Sequence, residues 1–349
     1  MRIGIVFHKN PFAPPTGIDL VRLRAIAGGL IRRGFSVDVI GPVHAAGMID
    51  GVIPVKPLDV LRDGGRYDLI KTSYHFSIKL IDKYTGPVVS RIVRVVDHEL
   101  PQRDEPFRDD LLSCQELIRQ RASVLVLNNR ENEARWRQIY GSEPRVLLVP
   151  NGCPSEIPQP RSDPYDTRHP AVLFLGSVAA TRMVEMLNKA AQLLQGRATI
   201  HLVGLNKACM YGGDGGCVLD SLIVDHGEAS HDRVWDYIHH AQAGIALATG
   251  PHSFDNDISK IFDYLRGGLP VVSEEGILQN QLIARTGFGR FFAHDKVDEL
   301  VSGILEFLES PPVASKDQVM EFMAREHSWD RRVDEYVKLF QALRNTVPR

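Results

Sequence analysis

The apolar positions at the start of the chain follow two alternating periods. Residues 2–7, RIGIVF, form a short β-branched run of the kind that makes a buried strand. A Pro-rich loop follows, and Ile18 to Arg33 then carries helical apolar spacing that stops at Gly34, before Ser36 to Ile40 gives a second strand. Strand, loop, helix and strand in this order make a βαβ unit, which implies a parallel sheet with a right-handed crossover. The pattern predicts further strands at Tyr67–Lys71, Val88–Arg91, Ser123–Leu127 and Arg145–Val149, with helices at Pro106–Arg121 and Arg130–Tyr140. Together these make one doubly wound domain.

From Pro150 to Pro170 the composition shifts to NGCPSEIPQPRSDPYDTRHP, whose prolines remove backbone donors and disfavour helix, so this stretch reads as a linker. Alternation then restarts: strand Ala171–Leu175, helix Met183–Leu194, strand Thr199–Val203, helix Asp232–His240, strand Gly244–Ala248, helix Ser259–Arg266 and strand Pro270–Ser273. The second half is therefore a second α/β domain. The division expected is 1–155 and 156–328. The terminal stretch Trp329–Leu343 has Val333, Tyr336, Val337, Phe340 and Leu343 at helical spacing and must bury that face on something.

Length agrees with this division, because 349 residues exceed a comfortable single core and two domains commonly enclose a cleft. With 44% hydrophobic residues, 24% charged residues and a formal charge of −2, the chain is an ordinary folded protein with no bulk electrostatic case for a nucleic-acid partner. The first apolar run meets Lys9 and Pro11 at once and is too short for a signal peptide or membrane span, so a cytoplasmic location is expected. Cys114, Cys153, Cys209 and Cys217 are few for the length and form no disulfide framework by spacing, which agrees with a reducing compartment.

The second half carries a series of segments in a telling order: "VLLVPNGCP" at 146–154, "AVLFLGS" at 171–177, "IHLVG" at 200–204, and "SKIFDYLRGGLPVVS" at 259–273. The last is similar to the Lys-x-x-Glu-Tyr-Leu-x-x-Gly-x-Pro-Val-Val signature of retaining glycosyltransferases of family 4, the glycosyl transferases group 1. The chain thus resembles an enzyme of the GT-B fold, with two Rossmann-like domains facing a cleft. The resemblance implies a transferase that moves a sugar from a nucleotide-diphosphate sugar to an acceptor, with retention and without a metal or cofactor. It further implies a donor in the second domain, an acceptor in the first, and a terminal helix that packs back on the first.

Site residues follow from the same resemblance. A carboxylate within the signature binds the ribose hydroxyls in that family, and here it is Asp263, an acceptor-only group suited to a cis-diol but one methylene shorter than the usual Glu. Another acid eight residues earlier contacts the donor sugar, and Asp255 holds that spacing. Asp255, Asn256 and Asp257 also imitate an Asp-x-Asp metal motif, but ahead of a helix in a second domain the context is wrong for it. Without a metal, the charge on the departing diphosphate must be met by backbone N–H groups and cations. Gly17, in the turn before the first helix, and Gly176, after the first strand of the donor domain, match the family's glycines. Lys260 is the leading cation. Ser177 and Met183 stand where the family often has Arg and Lys, which leaves Arg182 as a substitute from an adjacent position.

In the first domain His75 and His98 follow predicted strands, where a parallel sheet presents side chains to ligands. His98 matches the family histidine that lies near the donor, and His75 is a candidate for contact with the sugar or acceptor. Each has a plain alternative as a polar loop residue. No dedicated nucleophile stands out. The glycines of "CMYGGDGGC" at 209–217 suit a mobile loop, and the thiol spacing lacks a zinc pattern. Arg22, Arg24, Arg32, Arg33, Arg91, Arg94 and Arg103 would give part of the first domain a basic face, either simply solvated or suited to an anionic membrane or lipid-linked acceptor.

Two rivals share the scaffold: a nucleotide-sugar epimerase, and an inactive nucleotide-sugar-binding protein, the latter motivated by Asp at both acidic positions and by Ser177 and Met183. A dehydrogenase is disfavoured because HKNPFAPPTG replaces a Gly-x-Gly-x-x-Gly loop.

Overall fold

A computed structural model describes residues 1–62, 67–99, 107–165, 168–208, 217–250 and 258–346. The chain forms two compact units, Met1–Asn151 with Trp329–Arg349, and Gly152–Ser328.

The first unit is built on strands β1 (Arg2–Val6), β2 (Ser36–Gly41), β3 (Gly47–Ile49), β4 (Ile53–Pro57), β5 (Leu69–Thr72), β6 (Val88–Arg91), β7 (Val124–Leu127) and β8 (Arg145–Leu148). They are ordered β3-β4-β2-β1-β5-β6-β7-β8, and only the β3–β4 pair is antiparallel. The chain runs outward from β1 through β2 and then resumes on the other side at β5. The switch point, where parallel α/β sheets bind ligands, therefore lies at the C-terminal ends of β1 and β5. Helices α1 (Ile18–Arg32), α2 (Arg108–Arg121) and α3 (Arg130–Tyr140) cover the sheet. The hairpin of β3 and β4 was missed by the sequence pattern because its segments are short.

The second unit has strands β9 (Ala171–Leu175), β10 (Thr199–Val203), β11 (Ile223–Asp225), β12 (Ala243–Ala246), β13 (Val271–Glu274) and β14 (Gly289–Phe292). They form one parallel sheet in the order β11-β10-β9-β12-β13-β14, with its switch point at the ends of β9 and β12. Its helices are α4 (Thr181–Leu194), α5 (His231–His240), α6 (Lys260–Arg266), α7 (Asn280–Thr286), α8 (Val297–Glu309) and α9 (Lys316–His327).

The expected linker is not a free tether. Residues 152–165 lie on the second unit, where Arg266 donates to the carbonyls of Pro154 and Ser155, and the Tyr165 hydroxyl donates to the carbonyl of Tyr237 at 2.7 Å. The terminal helix α10 (Trp329–Thr346) packs its apolar stripe, including Val333, Tyr336 and Phe340, into the core of the first unit beside Leu23 and Leu30 of α1. Contact is close because of Gly29: a Cβ there would stand 2.4 Å from Val333 Cγ2.

That docking takes up part of the expected basic face. Arg32 pairs with Asp330, and Arg33 with Asp330 and Asp334 of α10. Arg22 and Arg91 are buried, Arg24 donates to the carbonyl of Ala13, Arg94 is half-buried, and Arg103 lies outside the described residues. Among the described residues no helix is long and apolar enough to cross a membrane. Cys114 and Cys153 are free thiols, whereas Cys217 is disulfide-bonded, a pairing not anticipated from the spacing.

Candidate active site

The switch point of the second unit gathers Gly176, Lys260 and Asp263. The signature helix α6 is locked to the sheet by its tyrosine: the Tyr264 hydroxyl accepts from the Leu175 amide at 2.7 Å and donates to the Leu173 carbonyl at 3.2 Å. It binds β9 beyond Leu173, the last β9 residue paired to β12. Gly244 makes this possible, since a Cβ there would come 2.8 Å from the Tyr264 ring. The two glycines after α6 are equally constrained, because a Cβ on Gly267 would meet Ile238 at 2.2 Å, and Gly268 has φ of +67°.

With α6 so fixed, Lys260 enters from its first turn and lies with Nζ 3.7 Å from the centroid of the Phe174 ring. A Cβ built on Gly176 would be 3.9 Å from that Nζ, so two residues singled out from the sequence are neighbours. Gly176 has φ of +96°, which favours glycine. Gly204, after β10, packs directly on it: a Cβ on Gly204 would lie 2.1 Å from the Gly176 carbonyl oxygen. The floor beside Lys260 is therefore backbone without side chains.

Lys260 and Asp263 are half-buried by surface area while protein surrounds them on most sides, and no described residue of opposite charge pairs with either. Burial holds the Lys260 ammonium down to about 7 and pushes the Asp263 carboxyl up to about 8. A half-hidden ammonium and a half-hidden carboxyl, each lacking a described counter-ion, are suited to an external anion and to external hydroxyl donors respectively.

Arg182 is placed elsewhere. Its Nε donates to Asp295 Oδ1 at 2.6 Å, Nη1 to the Ala248 carbonyl at 3.0 Å and to Glu274, and Nη2 to Glu274 and towards His294 Nδ1. Each nitrogen of the guanidinium thus has an internal partner, which corrects the expectation that Arg182 offers its donors to phosphate. The decisive partner is Glu274, fully buried at the end of β13, whose carboxylate also accepts from the Ala248 amide at 3.1 Å. Sequence reading missed Glu274 because nothing in "VVSEEG" marks one acid as interior. Glu274, His294 and Asp295 also bring potential metal-ligand atoms within 4.8 Å of one another, but the Arg182 guanidinium already supplies the cation there.

The remaining candidates divide. Asp255 lies outside the described residues. Gly17 is the exposed N-cap of α1 with φ of −117°, and a Cβ there would meet nothing within 4 Å. Its backbone needs no glycine, so any demand for one must come from a ligand. His98 sits in an exposed turn at the C-terminal side of β6. His75, expected to touch sugar, is instead interior: 1% exposed, with Nε2 bonded to the Arg94 carbonyl at 2.9 Å and burial holding its imidazole down to about 4. An uncharged ring with no exposed atom cannot greet a substrate from solvent.

Beside it lies a histidine the sequence reading passed over. His8, at the end of β1, stacks on Tyr74 at 5.0 Å, and burial together with Lys9 holds it down to about 4. Asp19, which reaches both Lys9 and Arg22, completes the first unit's switch point.

No protein-family model matches the sequence, and no curated protein matches it. Solved structures do match across the whole chain. Sucrose-phosphate synthase from Thermosynechococcus elongatus superposes with a TM-score of 0.78 at 16% identity, over 99% of this chain and 100% of that one. The fold is GT-B. HepE from Anabaena, solved in complex with UDP-glucose, gives a TM-score of 0.74 at 14% identity, over 98% and 100% of the two chains. WaaG, a glycosyltransferase involved in lipopolysaccharide biosynthesis, gives 0.63 at 14% identity, over 96% and 95%.

Proposed function

We propose that the protein is a glycosyltransferase that moves a sugar from a nucleotide-diphosphate sugar to an acceptor, with retention of configuration and without a metal ion. The second unit would hold the donor and the first unit the acceptor. One observation carries this reading: Lys260 and Asp263 stand one helical turn apart at the sheet's switch point, charged in opposite senses when ionised and without described partners. In this assignment Lys260 donates to the diphosphate and gains the charge that burial withholds. Asp263 accepts from two vicinal ribose hydroxyls, which replace the water it has lost. The side-chain-free backbone at Gly176 and Gly204 leaves room for the diphosphate beside Lys260. Solved neighbours support the donor class, since HepE is described with UDP-glucose, with UDP, and with UDP and glucose.

A second reading, a protein that binds nucleotide sugars without turning them over, is favoured by the internal engagement of Arg182, which leaves Lys260 as the sole cation described at the site. Thermal-shift screening against nucleoside diphosphates and their sugars, followed by assay of nucleotide release, separates the outcomes. A ligand at about a hundred times its Kd should stabilise the fold by about 2.7 kcal/mol. A rise with one nucleotide, lost in Asp263→Ala, supports the donor site. Binding without release under any acceptor leaves the second reading. No rise with any nucleotide removes both.

A further inference from the structure

His201 of β10 and His226, which follows β11, are joined nitrogen to nitrogen. His201 Nδ1 lies 2.9 Å from His226 Nε2, and the two rings stack with centroids 5.2 Å apart. His201 is 0% exposed, and its Nε2 is buried with no hydrogen-bond partner among the described residues. That nitrogen decides where the protons sit, because a neutral imidazole carries one N–H and one bare nitrogen. If His201 accepted at Nδ1, its N–H would lie at Nε2, an orphaned buried donor of the kind native structures avoid. The lower-energy arrangement has His201 donating from Nδ1 to a bare Nε2 of His226, with the His226 proton on Nδ1.

An added proton has no good place in this pair. On His226 it goes to Nε2, where it meets the Nδ1–H of His201. On His201 it goes to Nε2, where charge and N–H are buried without an acceptor. Moving the shared proton across to His226 does not help, since His201 then needs its own N–H at Nε2. Burial accordingly holds His201 down to about 4, with His226 beside it acting in the same direction, and lowers His226 as well. Asp163 and Asp225, the acids that face the two rings, are both exposed and oppose this only in part.

Two backbone segments meet at the pair. Tyr165 covers it, with its ring centroid 4.5 Å from that of His201 and its hydroxyl bonded to the Tyr237 carbonyl, while the Asp163 carboxylate accepts from the Tyr165 amide at 2.9 Å. The His226 amide donates to the Leu202 carbonyl at 2.9 Å, and the Gly227 carbonyl accepts from the Gly204 amide at 2.8 Å. Gly204 is the residue packed on Gly176 in the floor beside Lys260, so the segment that carries His226 backs the candidate site. His239 of α5 also meets residues 152–165, at the Pro158 carbonyl, but an imidazolium donates from both nitrogens and keeps that bond.

We propose that His201 and His226 form an acid-sensitive clasp: at neutral pH one N–H···N bond closes residues 163–165 and 226–227 onto β10, and proton uptake by the pair releases both. A histidine free of the fold titrates near about 6.5, so one held lower favours the closed form above that value and loses its hold as pH falls towards about 4. The clasp lies wholly within the second unit and operates whether or not the chain transfers a sugar.

The test uses the full chain and two variants: His201→Phe, which keeps a ring but cannot titrate, and His201→Asn, whose amide nitrogen can replace Nδ1 as donor. Long-range proton–nitrogen spectra of labelled histidine at pH 7.5 should show His201 and His226 both carrying the proton on Nδ1. Between pH 7.5 and pH 5, hydrogen exchange corrected for its intrinsic pH dependence should show protection of the Tyr165, His226 and Gly204 amides falling at least about tenfold in the parent, with the amides of α4 unchanged. In His201→Phe, or in His201→Asn if the first does not fold, the three amides should keep their protection at pH 5. A His201 proton on Nε2 at pH 7.5 would overturn the proposal. So would an unchanged parent, an equal loss in α4, or an equal loss in the variants that cannot titrate.

Discussion

The ammonium of Lys260 lies 3.7 Å from the centre of the Phe174 ring, with no described carboxylate to balance it. A cation over an aromatic face gains some attraction but much less than hydration provides, so the amine releases its proton near neutrality. The site is therefore poised to take up a proton with an anion.

Nucleotide affinity should follow a bell-shaped pH curve with its top between about 7 and 8. Diphosphate requires charged Lys260, which loses its proton above about 7 in the free protein, so binding weakens as pH rises from there. Ribose recognition requires ionised Asp263, which is protonated below about 8 in the free protein, so binding weakens as pH falls from there. Calorimetric titrations across pH 5.5 to 9.5 should show both limbs in the parent, only the acid limb in Lys260→Met and only the alkaline limb in Asp263→Asn. A flat curve in the parent contradicts this assignment.

Asp263→Asn should also change how stability depends on pH. A carboxyl whose folded pKa is raised holds a proton that the unfolded chain releases, so the parent loses stability as pH rises from about 4 to about 8. The neutral amide has no such loss, and the opposing contribution of Lys260 is common to both proteins. In the absence of nucleotide the variant should therefore gain on the parent through that window, with the full gain above about 8. Parallel melting temperatures at pH 5 and pH 9 would sink the claim.

The glycines offer a pair of opposite outcomes. Gly17→Ala should leave stability within about 1 kcal/mol of the parent, because its φ of −117° and open surroundings accept a methyl group. Gly204→Ala should destabilise severely, since its Cβ would overlap the Gly176 carbonyl at 2.1 Å. Equal stability of the two variants in denaturant titrations would refute the packing described at β9 and β10.

Arg182→Ala should act on stability and leave nucleotide affinity alone. Removal of the guanidinium leaves the buried Glu274 carboxylate to the Ala248 amide and to His294, whose Nδ1 is 2.6 Å away, so the loss should approach the lower end of the about 3–5 kcal/mol for a broken buried pair. Double substitution with Glu274→Gln should recover part of that loss. A drop in nucleotide affinity with unchanged stability would return Arg182 to the phosphate-binding role expected from the sequence.

Much of the fold was legible because both sheets are parallel apart from the β3–β4 pair and are buried, so their strands read as apolar runs between helical periods. β9 and β10 fall at the expected bounds, and β12 lies within one or two residues of its own. Short elements such as β3 and β11 gave too few residues for a period to show. The proximity of Gly176 and Lys260, and the spacing of Lys260 and Asp263, were legible because the motif fixes a strand end and one helical turn, distances that the backbone sets, while their role towards a donor stays a proposal. Arg182 and His75 instead engage internal partners that the motif does not show. Their fates depend on Glu274 and on the Arg94 carbonyl, which lie far away along the chain, and one sequence does not reveal such partners.

A nucleotide-sugar donor site formed by Lys260 and Asp263 is best tested by calorimetric titration of the nucleoside diphosphate selected by thermal-shift screening. The parent and Lys260→Met, both shown to be folded by unfolding curves, would be compared at pH 7.5. We expect one site per chain in the parent with little net proton exchange, because uptake at Lys260 and release at Asp263 nearly cancel there, and in the variant an affinity at least about tenfold weaker with net proton release from Asp263. Equal affinity and equal net proton exchange in the two proteins would rule the site out.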